Sequence, residues 1–331
     1  MKYNIAFDAQ NNEGSLEFAT IAAHKFAKEN PKFKVWLIGN AHQIQKFMPA
    51  NKPENLLVLN EIGIAIKKDA LSKDVVKEEN SMNTALKMLA EQQVDAVLSA
   101  GESSLLLASS MLMLKRLTGI KRPAFMPMIP TIEKEKYFLM LDVGANIEVK
   151  PEYLHQWAQI AKIFYQNLFK IKNPIIGLIN IGTEDYKGFD FHKEANILLK
   201  LDKTLNYKGF VETKSILEGN IDIVLSDGYA GNLVLKTMEG TVLSFVKLLK
   251  SELKKTATRQ FAALMLKPAF SNIKERFDYR NVGAAWIIGL NGIVLKAHSS
   301  SDEKAFEGAL NQIKLALESQ IFSKLKETLK E

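Results

Sequence analysis

Residues able to do chemistry stand at five places in this chain, each just after a short apolar run. They are Asp8; Ser99-Ala100-Gly101; Asp142 through Gly144 to Asn146; Asn180-Ile181-Gly182 with Lys187-Gly188; and Asp227-Gly228, followed by Asn232 and Lys236. Small and acidic residues at the ends of apolar runs mark strand-to-helix turns, and ligands of open α/β sheets gather at the carboxyl ends of strands. The last place is the most informative. In GNIDIVLSDGYAGNLVLKTMEG, from Gly219 to Gly240, residues 221–225 carry apolar side chains on both sides of the pleat, as a buried parallel strand does. Ser226-Asp227-Gly228 closes that run, and Gly231-Asn232 opens a long apolar-periodic helix. A helix start at such a turn offers backbone N–H groups and a positive dipole end, which together receive an anion. Asp227, Asn232 and Lys236 would supply side chains around it. Five junctions on one sheet rim predict a crevice site.

Composition removes several other chemistries. The chain has no cysteine, so disulfides, thiolate metal sites and a cysteine nucleophile are out. Five histidines without an HExxH spacing give no sign of zinc. There is no GxGxxG for a dinucleotide and no Walker A loop for a nucleotide triphosphate. Gly101-Glu102-Ser103-Ser104-Leu105 lacks the last glycine of a serine nucleophile elbow. No cofactor is expected.

These residues need a scaffold, and the pattern supplies one. Strand-like runs at 3–7, 34–38, 56–59, 94–98, 124–129, 137–143, 175–181 and 221–225 alternate with helix-like runs, the mark of a doubly wound, mostly parallel α/β/α sandwich. Ser81 reads as the N-cap of one helix, and Pro151 sits at the first turn of another. Asn291-Gly292 between runs at 285–290 and 293–297 signals a hairpin. A last helix is expected over 302–329. With no repeat, low-complexity tract or linker, the chain reads as a single α/β domain over 1–331.

Charge is unevenly spread. The whole chain carries +7, and between Leu243 and Arg276 eight cations against two anions leave +6. This lysine-rich face accompanies an apolar stripe of Val242, Phe245, Val246, Leu249 and Leu253, so 242–277 is expected to form an amphipathic basic helical protrusion. No run is long enough to span a bilayer, and the first strand begins without the basic and apolar regions of a signal peptide. A cytoplasmic protein is expected, peripheral on the inner face of the membrane.

Long segments then bring a resemblance. VLSAGES, LMLDVGANIEVKPEYL, IIGLINIGTEDYKG, ILEGNIDIVLSDGYAGNLVLKTMEG and GLNGIVLKAHSSSD, in this order, resemble the bacterial phosphate acyltransferase (PlsX) family of phospholipid synthesis. The likeness runs from Asp8 to about Ala309 and is closest from Val94 to Asn232. It implies a fold similar to phosphotransacetylases and isocitrate dehydrogenase-like enzymes, assembled as a homodimer. It also implies a reaction in which inorganic phosphate attacks the thioester of acyl-acyl carrier protein, giving acyl phosphate and free carrier.

Direct attack by phosphate needs no enzyme nucleophile. It needs a cation, anion-holding amides and donors for a developing oxyanion. Lys187, Asp227 and Asn232 are the candidate catalytic residues. Asp8, Ser99, Gly101, Asp142, Asn146, Gly188, Gly228 and Lys236 are the candidates for holding substrate. Lys187 and Lys236 would be the cations and Asn146 and Asn232 the donors or orienters. Asp142 and Asp227 would fix those groups or handle a proton.

The chain departs from the family at two turns and at Lys77-Glu78-Glu79-Asn80-Ser81-Met82, which is more acidic than the family's lysine- and serine-containing run. Asp8-Ala9-Gln10-Asn11-Asn12-Glu13-Gly14 replaces a glycine-rich, histidine-containing turn, and Glu102-Ser103-Ser104 replaces Asn-Thr-Gly. A carboxylate at Glu102 facing the site would repel phosphate. Two other readings stand beside the acyltransferase: a non-catalytic carrier-binding or membrane scaffold, and a phosphotransacetylase using a small coenzyme A thioester. The expected partners are acyl carrier protein, inorganic phosphate, a second copy and an anionic membrane, with no nucleic acid.

Overall fold

The computed structural model describes residues 2–12, 16–63 and 78–329. Glu13, Gly14 and Lys77, on which parts of the reading above fall, lie outside the described residues. In chain order the elements are β1 Tyr3–Asp8, α1 Leu16–Glu29, β2 Phe33–Gly39, α2 Ala41–Phe47, β3 Leu56–Asn60, α3 Ser81–Ala90, β4 Ala96–Ser99 and α4 Ser103–Leu114. Then come β5 Ala124–Pro130, β6 Tyr137–Leu141, α5 Pro151–Phe169, β7 Ile175–Ile179, α6 Asp190–Leu201, β8 Asn206–Val211, β9 Ile223–Leu225 and α7 Gly228–Leu253. The chain closes with α8 Ala257–Met265, α9 Lys267–Arg276, β10 Ala284–Ile288, β11 Ile293–Ala297, α10 Glu303–Glu318 and α11 Ile321–Thr328.

The chain forms two compact units. The first comprises Met1–Pro127, Gln156–Asn173 and Arg280–Glu331. Its strands run β3-β2-β1-β4-β11-β10-β5, parallel except that β10 opposes both β11 and β5. β1 and β4 lie side by side with Asp8 opposite Ser99, so both polar ends reach the same edge. Apolar side chains on both faces explain why these strands sit inside: Ile5, Ala6, Phe7, Val97 and Leu98 are fully buried, and Phe7 meets Phe306 of α10 at 5.1 Å between ring centroids.

The second unit comprises Met128–His155 and Pro174–Tyr279. Here β6, β9, β7 and β8 are parallel neighbours in that order, and the end of β5 pairs antiparallel with β6. Leu178 of β7 lies opposite Leu225 of β9, so the loops starting at Asn180 and Ser226 leave adjacent strands at one edge. β8 was not legible from alternation. Its Lys208-Gly209 interrupts the apolar run, Gly209 takes φ +102, and the register against β7 shifts there.

Several boundaries move for local reasons. The hairpin at Asn291-Gly292 is present as antiparallel β10 and β11. The helix expected over 302–329 is broken where Gln320 takes a left-handed conformation at φ 55, giving α10 and α11. The N-cap of α3 is Asn80, whose side chain accepts from Asn83 N, and not Ser81. α7 starts at Gly228 instead of Gly231, because Asp227 caps it by accepting from Ala230 N at 2.8 Å. Beyond its first turns α7 is largely exposed: Leu243, Phe245 and Leu248 face outward, while Val242, Val246, Leu249 and Leu253 are half-buried.

Candidate active site

In the second unit four segments meet at the carboxyl ends of β6, β7 and β9. After β6 the chain turns tightly around Asp142, which is fully buried. Its carboxylate accepts from Gly144 N at 3.2 Å, Ala145 N at 3.1 Å, Asn146 N at 2.7 Å and Asn146 Nδ2 at 2.9 Å. The amides of this loop therefore turn inward, and Asp142 is the pin that fixes it. The first turn of α7 sits directly on the loop: Gly228 N donates to Asn146 O at 2.8 Å, and Asn232 Nδ2 donates to Val143 O at 2.9 Å. A Cβ on Gly228 would stand 2.4 Å from Asn146 O, and one on Gly231 would stand 1.9 Å from Asp142 O. Backbone against backbone at this spacing is open only to glycine.

Much of the hydrogen-bonding power of the α7 start is already used. Gly228 N serves Asn146, Ala230 N serves the Asp227 carboxylate and Gly231 N bonds Asp227 O. What the helix start still offers an anion is its dipole, the second hydrogen of the Asn232 amide and, one turn along the same face, the exposed ammonium of Lys236.

Lys187 comes from the loop after β7. Its side chain folds back over Gly182, where a Cβ would meet Lys187 Cδ at 2.6 Å, and its ammonium pairs with Glu184 at 2.9 Å. That hydrogen bond raises the lysine above its ordinary range, so Lys187 is a cation at neutral pH. The loop is held by Asn180, whose Nδ2 donates to Lys187 O at 3.0 Å and which packs on Gly188, a residue at φ +87. Asp227, beside this loop on the neighbouring strand, keeps Oδ1 for its capping bond and turns Oδ2 toward His192 Nε2, 3.9 Å away. Burial pushes the His192 imidazole below its ordinary range, with Asp227 acting against that, so it is neutral at pH 7.

Asp8, Ser99 and Gly101 belong to the first unit and form a cluster of their own. Asp8 is fully buried and accepts from Ser81 Oγ and Ser99 Oγ, both at 2.6 Å, and from Asn11 Nδ2 at 3.1 Å. Ser99 Oγ in turn accepts from Gly101 N at 3.0 Å. Burial pushes the Asp8 carboxyl above the usual range, and the bonds from Ser81, Ser99 and Asn11 work against it. Glu102 is the N-cap of α4; its Oε2 accepts from Leu105 N at 2.8 Å and Ser104 Oγ at 2.5 Å. Among the described residues no group of three or more His, Asp or Glu is arranged to hold a metal.

A family model described as fatty acid synthesis protein matches residues 5–324. A phosphate acyltransferase of Mycoplasmopsis pulmonis is 50% identical over 325 residues, covering 98% of this chain and 99% of its own. This chain belongs to the phosphate acyltransferase family. A phosphate acyltransferase of Mycoplasma mobile is 47% identical over 327 residues, covering 98% of this chain and 99% of its own. The protein is accordingly an acyltransferase enzyme of fatty acid and phospholipid synthesis. A phosphotransacetylase from Streptococcus pyogenes shares its α/β fold at a TM-score of 0.63 and 15% identity, over 97% of this chain and 94% of that one.

Sequence reasoning passed over three groups that this acyltransferase places at its strand ends. His192 has no spacing motif, and comes to 3.9 Å from Asp227 where the chain leaving β7 turns into α6 beside the end of β9. Ser81 and Asn11 are ordinary polar residues until β1, β4 and α3 close on Asp8. Their role gives a testable consequence: Asp8→Ala leaves Ser81, Ser99 and Asn11 without their shared acceptor. The variant should lose about 2–4 kcal/mol of stability, read as a lower denaturant midpoint. An unchanged midpoint would show that the cluster does not hold the turn.

Proposed function

We propose that the protein transfers an acyl group from acyl carrier protein to inorganic phosphate. An oxygen of phosphate attacks the thioester carbonyl, the C–O bond forms and the C–S bond breaks. The carrier's thiolate leaves and takes a proton, giving acyl phosphate and free carrier. The observation that carries this reading is the setting of Lys187. A cation, the N-terminus of a 26-residue helix and the Asn232 amide stand at the carboxyl ends of adjacent strands, in a chain without cysteine. Phosphate brings its own nucleophilic oxygen, so the protein supplies charge and donors instead of a covalent intermediate. Purified protein given acyl-carrier thioester and phosphate should form acyl phosphate; thioester consumption without it, or no consumption, overturns the reading.

We infer further that the helices over 242–277 serve two contacts. The outward apolar residues of α7, among them Leu243, Phe245 and Leu248, suit a second copy of the chain. Phe261, Leu264, Met265 and Leu266, at the turn from α8 to α9, are exposed among basic residues and suit an anionic membrane surface. Each lysine near such a surface contributes about 1 kcal/mol, enough in number for reversible binding at low salt. No helix among the described residues is long and apolar enough to cross a membrane, so contact would be interfacial. Replacing Leu264 and Leu266 by Glu should release the protein from anionic vesicles with its unfolding midpoint unchanged. Co-sedimentation that persists in this double variant removes the tip from the membrane.

A further inference from the structure

An aromatic run follows Lys187-Gly188 directly. Phe189 occupies the N-cap of α6 and makes no side-chain capping bond there. Ser, Thr, Asp and Asn are the residues that stabilise this position, and an apolar ring adds nothing to the helix start. Phe189 is also 73% exposed, while His192 is 8% exposed. The rings between them are continuous. Phe189 stacks on Phe191 at 6.0 Å and on His192 at 5.9 Å, and Phe191 lies 4.0 Å from His192. His192 reaches to 3.9 Å from Asp227. A strip of aromatic surface thus leads from open solvent to a carboxylate at the strand ends. Ile181 and Tyr186, on the same loop, are exposed as well.

A residue that breaks the local rule for a helix start and exposes apolar surface next to a polar site is expected to serve a ligand. We propose that Phe189, backed by Phe191 and His192, is the seat of the substrate's hydrocarbon chain and sets the preference for long acyl groups. This rests on the acyl-transfer reading above, which requires a ligand with a reacting polar end and an apolar tail. The strip has that polarity order: His192 and Asp227 at the inner end, and a bare phenyl ring at the outer end. The neighbouring charges do not interrupt it, since Lys187 is paired with Glu184, and Lys193 with Asp190 at 3.2 Å. Every methylene taken from water onto the ring is worth about a fourfold change in affinity. A long chain gains from the ledge and a four-carbon chain that ends near the reacting carbonyl does not.

The test compares palmitoyl- and butyryl-carrier thioesters by equilibrium binding and by KM, in the parent protein and in Phe189→Ser. Serine is a better N-cap than phenylalanine, so loss of fold is not a competing explanation. Palmitoyl-carrier binding should weaken about tenfold and butyryl-carrier binding by less than about twofold. Phe189→Leu should restore most of the palmitoyl affinity. An equal loss for both thioesters would place the pantetheine arm or the carrier on the ring and overturn the proposal, as would no loss for either. A change only in oligomeric state by sedimentation would assign the ring to a second copy, again against it. If the parent forms no acyl phosphate yet its binding shows the chain-length difference, the reaction reading fails and the ledge stands.

Discussion

Lys187→Ala is expected to lower turnover by about 100-fold or more while leaving thermal stability nearly unchanged. The two halves of this expectation rest on different observations. The side chain lies in a loop at the protein surface, and its partner Glu184 is exposed too. Exposed ion pairs of this kind contribute little to folding. For the transfer proposed above, the same ammonium would meet the phosphate from the loop that leaves β7, the strand next to the one that feeds α7. As phosphate attacks and negative charge moves onto the thioester oxygen, a fixed cation lowers the barrier more than it lowers the ground state. The hydrogen bond that Lys187 donates to Glu184 raises the lysine's pKa. The charged form therefore persists through neutral pH and is lost only above the ordinary lysine range. Activity should show no alkaline fall near neutral pH that disappears in the alanine variant. Unaltered turnover in Lys187→Ala would remove this residue from the transfer step.

What could be read without coordinates divides along a physical line. Apolar runs of five or so residues capped by Gly, Ser, Asn or Asp fix where strands end, and these gave the junctions at Asp8, Ser99, Asp142, Asn180 and Asp227. A single hydrogen bond made across the fold leaves no such trace. Nothing near Asp142 in sequence announces that its carboxylate gathers three backbone amides, nor that Asp8 becomes the buried acceptor for Ser81, 73 residues away. Capping is half legible: Asn80 and Ser81 are both good N-cap residues, and only the geometry of α3 decides between them. The division into two units was equally silent. Each unit takes separated segments of the chain, so no linker composition marks the crossing between them. Family likeness adds the reaction.

Gly231→Ala should be the most disruptive small substitution in the second unit. The added methyl would stand 1.9 Å from Asp142 O and 3.3 Å from Val143 Cα, and its closest neighbour is backbone, not a flexible side-chain tip. Asp142 O cannot yield easily, because the same residue's carboxylate holds Gly144, Ala145 and Asn146 in one turn. The helix must move instead, and its first turn carries the bonds from Gly228 N to Asn146 O and from Asn232 Nδ2 to Val143 O. Steric overpacking of this kind costs about 1–3 kcal/mol, and the two strained hydrogen bonds add about 1 kcal/mol each. Turnover should fall with stability, since Asp227, Asn232 and Lys236 all ride on that helix. Gly240→Ala in the same helix is the matching control: nothing lies within 4 Å of its Cβ position, so it should stabilise by about 0.5–1 kcal/mol. Equal unfolding midpoints for the two alanine variants would show that α7 does not rest on the Asp142 turn as closely as the glycine spacing requires.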